Sequence, residues 1–462
     1  MPFKAWFENS DDFSEGVEIV LRKEIEGTKL SHKKAIPFVE DSKLKIAVNP
    51  DDGLTKPLLS IVEKFRRSGA EAYKKIPEWA KIGAIDIKAW SEAANYSNEE
   101  EFLKLLFSFV EGFVLASYTG KDIEGEKTKL ILINSKDNAT YKELEKEYSK
   151  KLTTLEFVKD IIAKPAEEIN TDFFVDFVHE NFTDRKVTII RGEKLLDHNL
   201  RLIHAVGRAG KTPPTLIIIE PKGTRSKLAV IGKGVCYDSG GLCIKRCNSM
   251  RLMHLDMTGA AITLGLAKLF PDFAFFLPVV ENMPDSTAYK AGDVIEAYNG
   301  KKVEIVSTDA EGRLILADAI ALAQDMGYEK VVDIATLTGA SYTALGTYVA
   351  AFLANDDELA KFLEKAGGEA AEPVWRLPLV EEYTEFLKTD RADFKNSAGK
   401  GEASTIVAAL FLKNFIKENS KWLHIDVAGT NFPENTWFYR SKTSPAFGFL
   451  LLYEFLKKVK AQ

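Results

Sequence analysis

The sequence is poor in the residue types that mark several common protein classes. Its 462 residues include only three cysteines and six histidines, and no apolar run approaches the roughly 18 residues of a membrane-spanning helix. Three cysteines cannot form the disulfide framework of a small secreted domain. The amino terminus has no apolar segment followed by a cleavage site of small residues. We therefore expect a cytoplasmic protein with reduced thiols and no membrane association.

Positive charge is also scarce relative to negative charge. The 62 Lys and Arg residues are outnumbered by 68 Asp and Glu residues, which gives a formal charge of −6. This balance argues against a strongly basic nucleic-acid-binding protein. Hydrophobic residues make up 45% of the chain, so bulk disorder is excluded and the length allows more than one domain.

The pattern of predicted strands and helices changes near residue 153. The first 150 residues mix strands with helices, whereas apolar strands alternate with helical segments afterwards. This pattern predicts an α/β fold with two domains: a smaller α/β domain at 1–152 and a larger domain at 153–462. The larger domain should contain a central, mostly parallel or mixed sheet flanked by helices. Its predicted strands are Lys186–Ile190, Thr215–Glu220, Lys227–Lys233, Ala274–Val280, Val303–Ser307, Lys330–Ala335 and Trp422–Val427.

Unusual polar residues follow several of these strands. In open α/β sheets, ligands bind beyond the carboxyl ends of the strands. One stretch runs from Val230 to Lys245 and continues at Met253–Ala261, and a second covers Ser307–Leu314. Each follows a predicted strand and leads into a predicted helix. The chemistry is therefore expected in these two stretches.

The second stretch carries Asp309, Glu311 and Arg313 at intervals of two residues. In an extended segment this spacing places the three side chains on one face. A surface salt-bridge ladder would use the same pattern. The flanking segments are apolar, however, and a buried strand-to-helix turn is a poor place for charges without partners.

The first stretch adds Lys233, Asp238 and Asp256. Asp238 could organise a turn, and Asp256 could be a helix N-cap. Together with Asp309 and Glu311, they give four carboxylates near strand ends of one sheet, a set that suits divalent cations. Two divalent ions would balance the four negative charges. Lys233 would fit beside them only as a neutral amine ligand.

Other catalytic patterns are absent or weak. The sequence has no His-Glu-x-x-His helix, no phosphate-binding Gly-rich loop and no Gly-x-Ser-x-Gly elbow. Ser239 is interpreted as a turn residue, and His424 as a core histidine, while His254 could be a ligand or a base. We expect Cys236, Cys243 and Cys247 to be small buried packing residues, with a metal-binding or redox role as the alternative.

At these residues the sequence resembles the leucine (cytosol) aminopeptidase family of two-metal exopeptidases. The most specific match is Thr308-Asp-Ala-Glu-Gly-Arg-Leu314, and the resemblance runs from about Val158 to near the carboxyl terminus. Ser307 and His254 depart from the usual Asn and Lys or Arg of the family, but no proposed ligand is lost. The other matching blocks are Gly232–Val235, Asp238–Gly241 with Lys245, Asp256–Ala261, Asn299–Lys301, Ala335–Ala340, Ala392–Asn396 and His424–Thr430.

The resemblance implies a set of metal ligands. Lys233, Asp238, Asp256 and Glu311 would hold a tighter metal ion, and Asp238, Asp309 and Glu311 a more exchangeable one. The ions would be Mn²⁺ or Zn²⁺, two per subunit.

The resemblance also implies catalytic and substrate-binding residues. Lys245 would polarise the scissile carbonyl and stabilise the oxyanion, and Arg313 would bind a bicarbonate ion that acts as the general base. The free α-amine of the peptide would coordinate a metal, which an internal residue cannot do. The substrate would be positioned by Met253, Thr336, Leu337 and Gly339.

The implied function is a cytosolic, metal-dependent aminopeptidase that removes leucine-like and other amino-terminal residues from peptides. The family resemblance further implies a homohexamer, with the first domain in an oligomerisation or regulatory role. Two alternatives stay open from the residues alone. One is a two-metal phosphoesterase, although its usual histidine ligands are scarce here. The other is an additional nucleic-acid-binding or scaffolding role, which the acidic composition disfavours.

Overall fold

A computed structural model describes residues 139–461 except 223–225, 400, 433–434 and 438. Before residue 139 it describes 7–8, 17–21, 24–25, 28–29, 35–40, 43–48, 61–76, 82–86, 89–90, 99–118 and 129–133. The backbone contacts divide the chain into two units. The first is Met1–Phe157 with Glu434–Thr443, and the second is Val158–Pro433 with Ser444–Gln462. The domain boundary expected between residues 152 and 153 stays a prediction.

The first unit contains a six-stranded sheet in the order β1-β8-β7-β2-β6-β5, in which only β5 and β6 pair antiparallel. A two-stranded antiparallel sheet, β3 with β4, lies in the same unit. The strands are β1 (Phe7–Glu8), β2 (Val17–Leu21), β3 (Glu24–Ile25), β4 (Thr28–Lys29), β5 (Ile36–Glu40), β6 (Lys43–Val48), β7 (Ile82–Asp86) and β8 (Lys129–Ile133).

Two helices of the first unit, α1 (Ile61–Lys75) and α2 (Glu99–Ser117), pack against each other. A third, α3 (Ala139–Ala163), begins in this unit and ends in the second. Glu111 of α2 is fully buried and pairs with both Arg66 of α1 and Lys151 of α3. Two cations thus compensate one buried carboxylate, which would otherwise be costly to remove from water.

The second unit is built on a nine-stranded mixed sheet in the order β18-β17-β20-β16-β11-β13-β10-β9, with β12 pairing alongside β13. A smaller sheet has the order β14-β15-β19. The strands are β9 (Lys186–Arg191), β10 (Thr215–Glu220), β11 (Leu228–Gly232), β12 (Gly234–Asp238), β13 (Ala274–Asn282), β14 (Val294–Glu296), β15 (Lys302–Glu304), β16 (Lys330–Ala335), β17 (Ala350–Ala354), β18 (Val374–Arg376), β19 (Phe394–Lys395) and β20 (Lys421–Asp426).

Helices alternate with the strands of this sheet along the chain. Short 3₁₀ helices are present at Met253–Met257 and Glu381–Leu387. No helix among the described residues is both long and apolar enough to cross a membrane. The α-helices are α4 (Thr171–Asn181), α5 (Lys194–Asp197), α6 (Arg201–Gly207), α7 (Cys247–Met250), α8 (Thr258–Leu269), α9 (Gly312–Asp325), α10 (Gly339–Leu345), α11 (Asp357–Glu369), α12 (Ser404–Lys413), α13 (Ala428–Asn431) and α14 (Phe449–Lys460).

The centre of the large sheet is parallel and buried on both faces. All nine residues of β13 and all five of β11 are buried. Parallel strands covered by helices on both sides read as continuous apolar runs, as these do. The parallel partners β12, β13, β11, β16 and β20 all run in one direction, so their carboxyl ends meet at one edge of the sheet.

The structure confirms the predicted α/β fold with a large mixed sheet. Two boundaries in the second unit differ in a way that bears on function. The strand predicted at Val303–Ser307 ends at Glu304, so Ser307 lies in a loop. The helix predicted from Asp256 begins at Thr258, after a 3₁₀ turn that contains Asp256.

The start of α8 approaches the sheet too closely for any side chain. A Cβ atom on Gly259 would lie 2.3 Å from the carbonyl oxygen of Ile334 and 2.8 Å from the backbone nitrogen of Lys233. Both contacts are with backbone, which cannot move aside as a flexible side chain can. Gly259 therefore lets α8 sit directly on β16 and on the residue after β11.

We expect Gly259→Ala to lower the free energy of unfolding by roughly 2 kcal/mol or more, because the added methyl group forces α8 off the sheet. Denaturant unfolding measures the change. Gly368→Ala is the control, since a Cβ on that glycine of α11 would meet nothing within 4 Å. The control should be neutral or stabilising by up to about 1 kcal/mol. Equal effects of the two variants would contradict the close packing.

Candidate functional site

The site begins at Lys233, which interrupts a strand that otherwise continues from β11 into β12. The Lys233 N–H donates to the carbonyl of Ile334 at 3.0 Å, and its carbonyl accepts from the Ala260 N–H at 2.8 Å. The second bond satisfies one of the free N–H groups in the first turn of α8. The interruption turns the lysine side chain towards the carboxyl edge of the sheet.

The Lys233 ammonium is buried between acidic partners. Its Nζ donates to Asp256 Oδ1 at 2.8 Å and to the Thr336 carbonyl at 2.9 Å, and it lies 3.0 Å from Glu311 Oε1. The aliphatic part of the side chain runs against the start of α9. A Cβ on Gly312 would lie only 2.5 Å from Lys233 Cε, so glycine between Glu311 and Arg313 makes room for the lysine.

A second cationic contact joins Asp238 to Asp309. Lys245 Nζ lies 2.7 Å from Asp238 Oδ2 and 2.5 Å from Asp309 Oδ1. Asp238 ends β12, and its Oδ1 accepts from the Gly240 N–H at 2.8 Å. Gly240 has φ +86°, a conformation that favours glycine, and it turns the chain towards Lys245. Asp238 thus organises the turn and also faces Lys245.

Asp309 lies in a turn and Glu311 at the start of α9, so the extended geometry that would place both side chains on one face is not present here. Residues 308–309 form the turn, and Glu311 is already helical at the start of α9. Glu311 is buried while the Asp309 side chain is 39% exposed. The turn nevertheless brings one oxygen each of Asp238, Asp309 and Glu311 within 4.8 Å of one another. Asp256 joins this group through the shared Lys233.

Burial and mutual repulsion destabilise the ionised forms of two of these acids. Burial, together with the charge of Glu311, raises the pKa of Asp238 to about 6 and that of Asp256 to about 8. Burial also raises the pKa of Glu311, but Lys233 and Lys245 more than offset it, so the pKa of Glu311 is lowered. Burial lowers the pKa of Lys233 and Lys245, yet the surrounding carboxylates raise both above the usual range.

The donor set fits divalent cations. Asp256 Oδ2 and Glu311 Oε2 are buried and have no hydrogen-bond partner among the described residues. Four carboxylates face only two ammonium groups, which leaves an excess of negative charge in a buried volume. Oxygen ligands with unused lone pairs and uncompensated charge are what a hard or borderline divalent ion binds.

Arg313 reaches away from the carboxylates. Its Nη1 donates to the Asn396 carbonyl at 2.8 Å, and its buried Nε has no partner among the described residues. Burial lowers the pKa of Arg313 to about 10, although Glu311 and Asp426 act against this. The guanidinium therefore keeps one buried donor without a hydrogen-bond partner in the described part of the chain.

The residues predicted to contact substrate lie in two segments. Thr336 follows β16, and its hydroxyl donates to Asp256 Oδ1 at 2.8 Å. Leu337 is half-buried, and its N–H donates to Asp426 Oδ1 at 3.2 Å. Gly339 is exposed at the start of α10. Met253 is half-buried in the 3₁₀ turn that also carries Asp256.

The expectation for the cysteines is correct only in part. Cys236 is buried in β12, but Cys243 and Cys247 are exposed, so their prediction as buried packing residues is wrong. The loop after Asp238 stays buried through Gly241, but residues 242–244 and 246–249 are exposed, which the sequence did not indicate. His254 is half-buried and lies outside the cluster of acids.

Two single-residue interpretations are confirmed. His424 is buried, and its Nδ1 lies 2.5 Å from Asp333 Oδ1. Ser239 is a turn residue, since its hydroxyl donates to the Asn282 carbonyl and accepts from the Gly241 N–H.

Sequence reasoning missed three residues that hold the site loops. Asn282 ends β13 and donates to Asp238, Tyr289 donates to the Thr308 carbonyl, and Asp426 accepts from the Leu337 N–H. None of these three residues stands at a regular short interval from other acids, as Asp309 and Glu311 do. The signal that could have found Asn282 and Asp426 is their position at the ends of parallel strands.

Comparisons with known proteins agree with this geometry. The model of the cytosol aminopeptidase family, catalytic domain, matches residues 156–453. A probable cytosol aminopeptidase of Protochlamydia amoebophila is 37% identical over 79% of this chain and 76% of its own. The cytosol aminopeptidase of Encephalitozoon cuniculi is 33% identical over 87% of this chain and 82% of its own.

Solved structures extend the likeness over nearly the whole chain. The cytosol aminopeptidase of Coxiella burnetii has a TM-score of 0.83 at 27% identity, covering 98% of this chain and 99% of that one. The bottromycin maturation enzyme BotP in complex with Mn has a TM-score of 0.86 at 25% identity, covering 96% of this chain and 100% of that one. These likenesses support the peptidase interpretation, not the phosphoesterase or the nucleic-acid-binding alternative. The chain therefore belongs to the cytosol aminopeptidase family of metal-dependent peptide hydrolases.

Proposed function

We propose that the protein releases single amino-terminal residues, leucine-like ones among a broad set, from peptides at a site holding two divalent metal ions. The observation that carries this proposal is the convergence of four carboxylates on two lysines at the carboxyl edge of the sheet. Such a cluster is expensive to bury without cations, so it argues for ion binding rather than for a structural role.

Five side chains would hold the metals. Lys233, Asp238, Asp256 and Glu311 are proposed for the tighter ion, and Asp238, Asp309 and Glu311 for the more exchangeable one. Asp238 and Glu311 would be shared. When bound, divalent ions at such a site supply Lewis-acid chemistry, making water a better nucleophile near neutral pH and withdrawing charge from a carbonyl oxygen. Mn²⁺ or Zn²⁺ is proposed, and the Mn in the related BotP structure supports the former.

Lys245 is proposed to stabilise the charge that develops on the scissile carbonyl. Its ammonium lies between Asp238, which ends β12, and Asp309, which lies in the turn before α9. Its pKa is raised, so it carries a proton at neutral pH. A fixed ammonium in a partly buried site can stabilise an oxyanion strongly, because little solvent competes with it.

Arg313 is proposed to hold bicarbonate as the general base. The support is its buried Nε, which has no partner among the described residues and can donate to an anion. Among the described residues, the group of acids that could hold a metal ion contains no histidine. An anion on Arg313 would take up the proton of the attacking water.

Substrate would be positioned by the loop after β16 and by Met253. Thr336 and Leu337 are both tied to acids of the site, Asp256 and Asp426. This anchoring fixes the loop, so its remaining backbone groups can orient a peptide, while Met253 would line the pocket for the amino-terminal side chain.

From the family resemblance we further propose a cytoplasmic homohexamer in which 153–462 is the catalytic domain and 1–152 has an oligomerisation or regulatory role.

Hydrolysis of a panel of aminoacyl amides tests the proposed function. We expect activity on leucyl and related substrates that disappears on chelation and returns with Mn²⁺ or Zn²⁺. Peptides with an acetylated amino terminus should not be cleaved. Activity that survives exhaustive chelation, or cleavage of the acetylated peptides, would contradict the proposal.

Lys245→Ala should keep the metal content and lower kcat by roughly a hundred- to a thousand-fold, the usual effect of removing an oxyanion donor. Elemental analysis and steady-state kinetics measure the two quantities. Lys227→Ala is the matched control, because Lys227 is an exposed lysine that pairs only with Glu329 in the described part of the chain. A Lys245→Ala enzyme with kcat near wild type would refute the assigned role.

Metal binding should release at least one proton per site at pH 7. Lys233 is protonated in the metal-free protein and must be neutral to act as a ligand, and Asp256, with a pKa of about 8, holds a proton at this pH. Because protons compete with the metal, the apparent affinity should rise from pH 6 to pH 8. Calorimetric titration in two buffers of different ionisation enthalpy measures the release. Equal heats in both buffers would speak against these ligands.

A further inference from the structure

The amide of Asn282 connects two segments that carry the acids of the site. Asn282 is the last residue of β13, opposite Asp238 in the parallel pairing with β12, and it is fully buried. Its Nδ2 donates to Asp238 Oδ1 at 2.7 Å and to the Thr308 carbonyl at 3.0 Å. Asp238 and Thr308 are far apart in sequence, and Thr308 precedes Asp309 directly. One side chain thus fixes the distance between the two segments.

The surrounding hydrogen bonds hold the same two segments. The Asn282 carbonyl accepts from the Ser239 N–H at 3.0 Å and from the Ser239 hydroxyl at 2.7 Å. The Thr308 carbonyl also accepts from the Tyr289 hydroxyl at 2.7 Å, and the Thr308 hydroxyl donates to the Gly240 carbonyl at 2.6 Å. Lys245 also contacts both segments, through Asp238 and Asp309, but the Asn282 amide is uncharged and joins the Asp238 carboxylate to the Thr308 backbone.

The orientation of the amide follows from its neighbours. Its nitrogen faces two acceptors, whereas its Oδ1 has no partner among the described residues. That oxygen lies against Gly241, where a Cβ atom would be only 2.9 Å away. The reverse orientation would place the amide oxygen against two oxygens, so the structure needs the donor where it is.

The hydrogen bonds to Asp238 are unequally distributed over its two oxygens. Oδ1 accepts from both Asn282 and the Gly240 N–H, while Oδ2 faces Lys245. A carboxylate held in this way presents one chosen oxygen to the centre of the site. Partners of this kind behind a ligand commonly affect metal affinity as much as they affect geometry.

We propose that Asn282 is a positioning residue that, through its Nδ2, holds Asp238 and the Thr308–Asp309 segment in register and thereby sets the affinity of the site for divalent ions. The inference rests on the proposed function for the identity of the ligands. It concerns a residue that does not itself bind metal, because the amide nitrogen, not the free oxygen, makes the contacts with the site.

Two substitutions distinguish a role of Asn282 as a hydrogen-bond donor from a role as a metal ligand. Asn282→Ala removes both hydrogen bonds and should weaken Mn²⁺ binding about 10- to 100-fold. Asn282→Asp keeps the shape but replaces the donor by an acceptor beside Asp238, so Mn²⁺ binding should again be weaker than in the wild type. If Asn282 Oδ1 were itself a ligand, the aspartate would bind Mn²⁺ more tightly.

Asn431→Ala is the matched control. Asn431 is equally buried, and its amide bonds to the Val427 and Phe447 backbone without touching a proposed ligand. This variant should lose stability but keep wild-type Mn²⁺ affinity. Affinity is measured on the metal-free proteins by calorimetric titration with Mn²⁺ and by the free Mn²⁺ signal in electron paramagnetic resonance, with circular dichroism as the check of folding.

Four results would contradict the proposed role of Asn282. Wild-type Mn²⁺ affinity in folded Asn282→Ala, tighter binding in Asn282→Asp, or an equal loss in Asn431→Ala overturns it. Failure of both Asn282 variants to fold in the absence of metal also overturns it, since the residue would then be structural. A wild-type protein that binds Mn²⁺ but hydrolyses no aminoacyl substrate would end the proposed function and leave the comparison of affinities valid.

Discussion

Four carboxylates share the edge of the sheet because two ammonium groups lie between them. Lys233 touches Asp256 and Glu311, and Lys245 touches Asp238 and Asp309, so each acid has one cationic neighbour. The compensation is incomplete: burial, with a further contribution from the charge of Glu311, raises the pKa values of Asp238 and Asp256. The metal-free site is therefore assembled but short of positive charge. This excess of negative charge destabilises the folded chain, and it would favour the binding of cations at the site.

The sheet and its glycines make this convergence possible. The parallel strands β11, β12, β13, β16 and β20 end at one edge, so segments distant in sequence deliver their polar residues to one place. Two glycines also allow close packing around the site. Gly259 lets α8 touch β16, and Gly312 leaves room for the Lys233 side chain beside Glu311. A side chain at either position would move an element that carries or contacts a ligand.

Much of this was predictable from the residues. The apolar runs predicted the large sheet, and the acids after its strands were expected to come together, as Asp238, Asp309 and Glu311 do. The strand-to-helix turn expected at Asp309 and Glu311 is present, whereas the extended geometry that would place their side chains on one face is not. Asn282 could not be found this way, because its role depends on the register between β12 and β13 rather than on any local pattern. The exposure of Cys243 and Cys247 was missed for a similar reason, as loop packing has no periodicity.

The break in the strand at Lys233 ties the site to the middle of the sheet. On one side of this residue β11 pairs with both β13 and β16, and on the other side β12 continues along β13 and ends at Asp238. Any ion that draws Lys233 and Asp238 together acts on both ends of one short stretch of backbone. With the proposed ligands, ion binding at the site would be thermodynamically linked to the stability of β11 and β12.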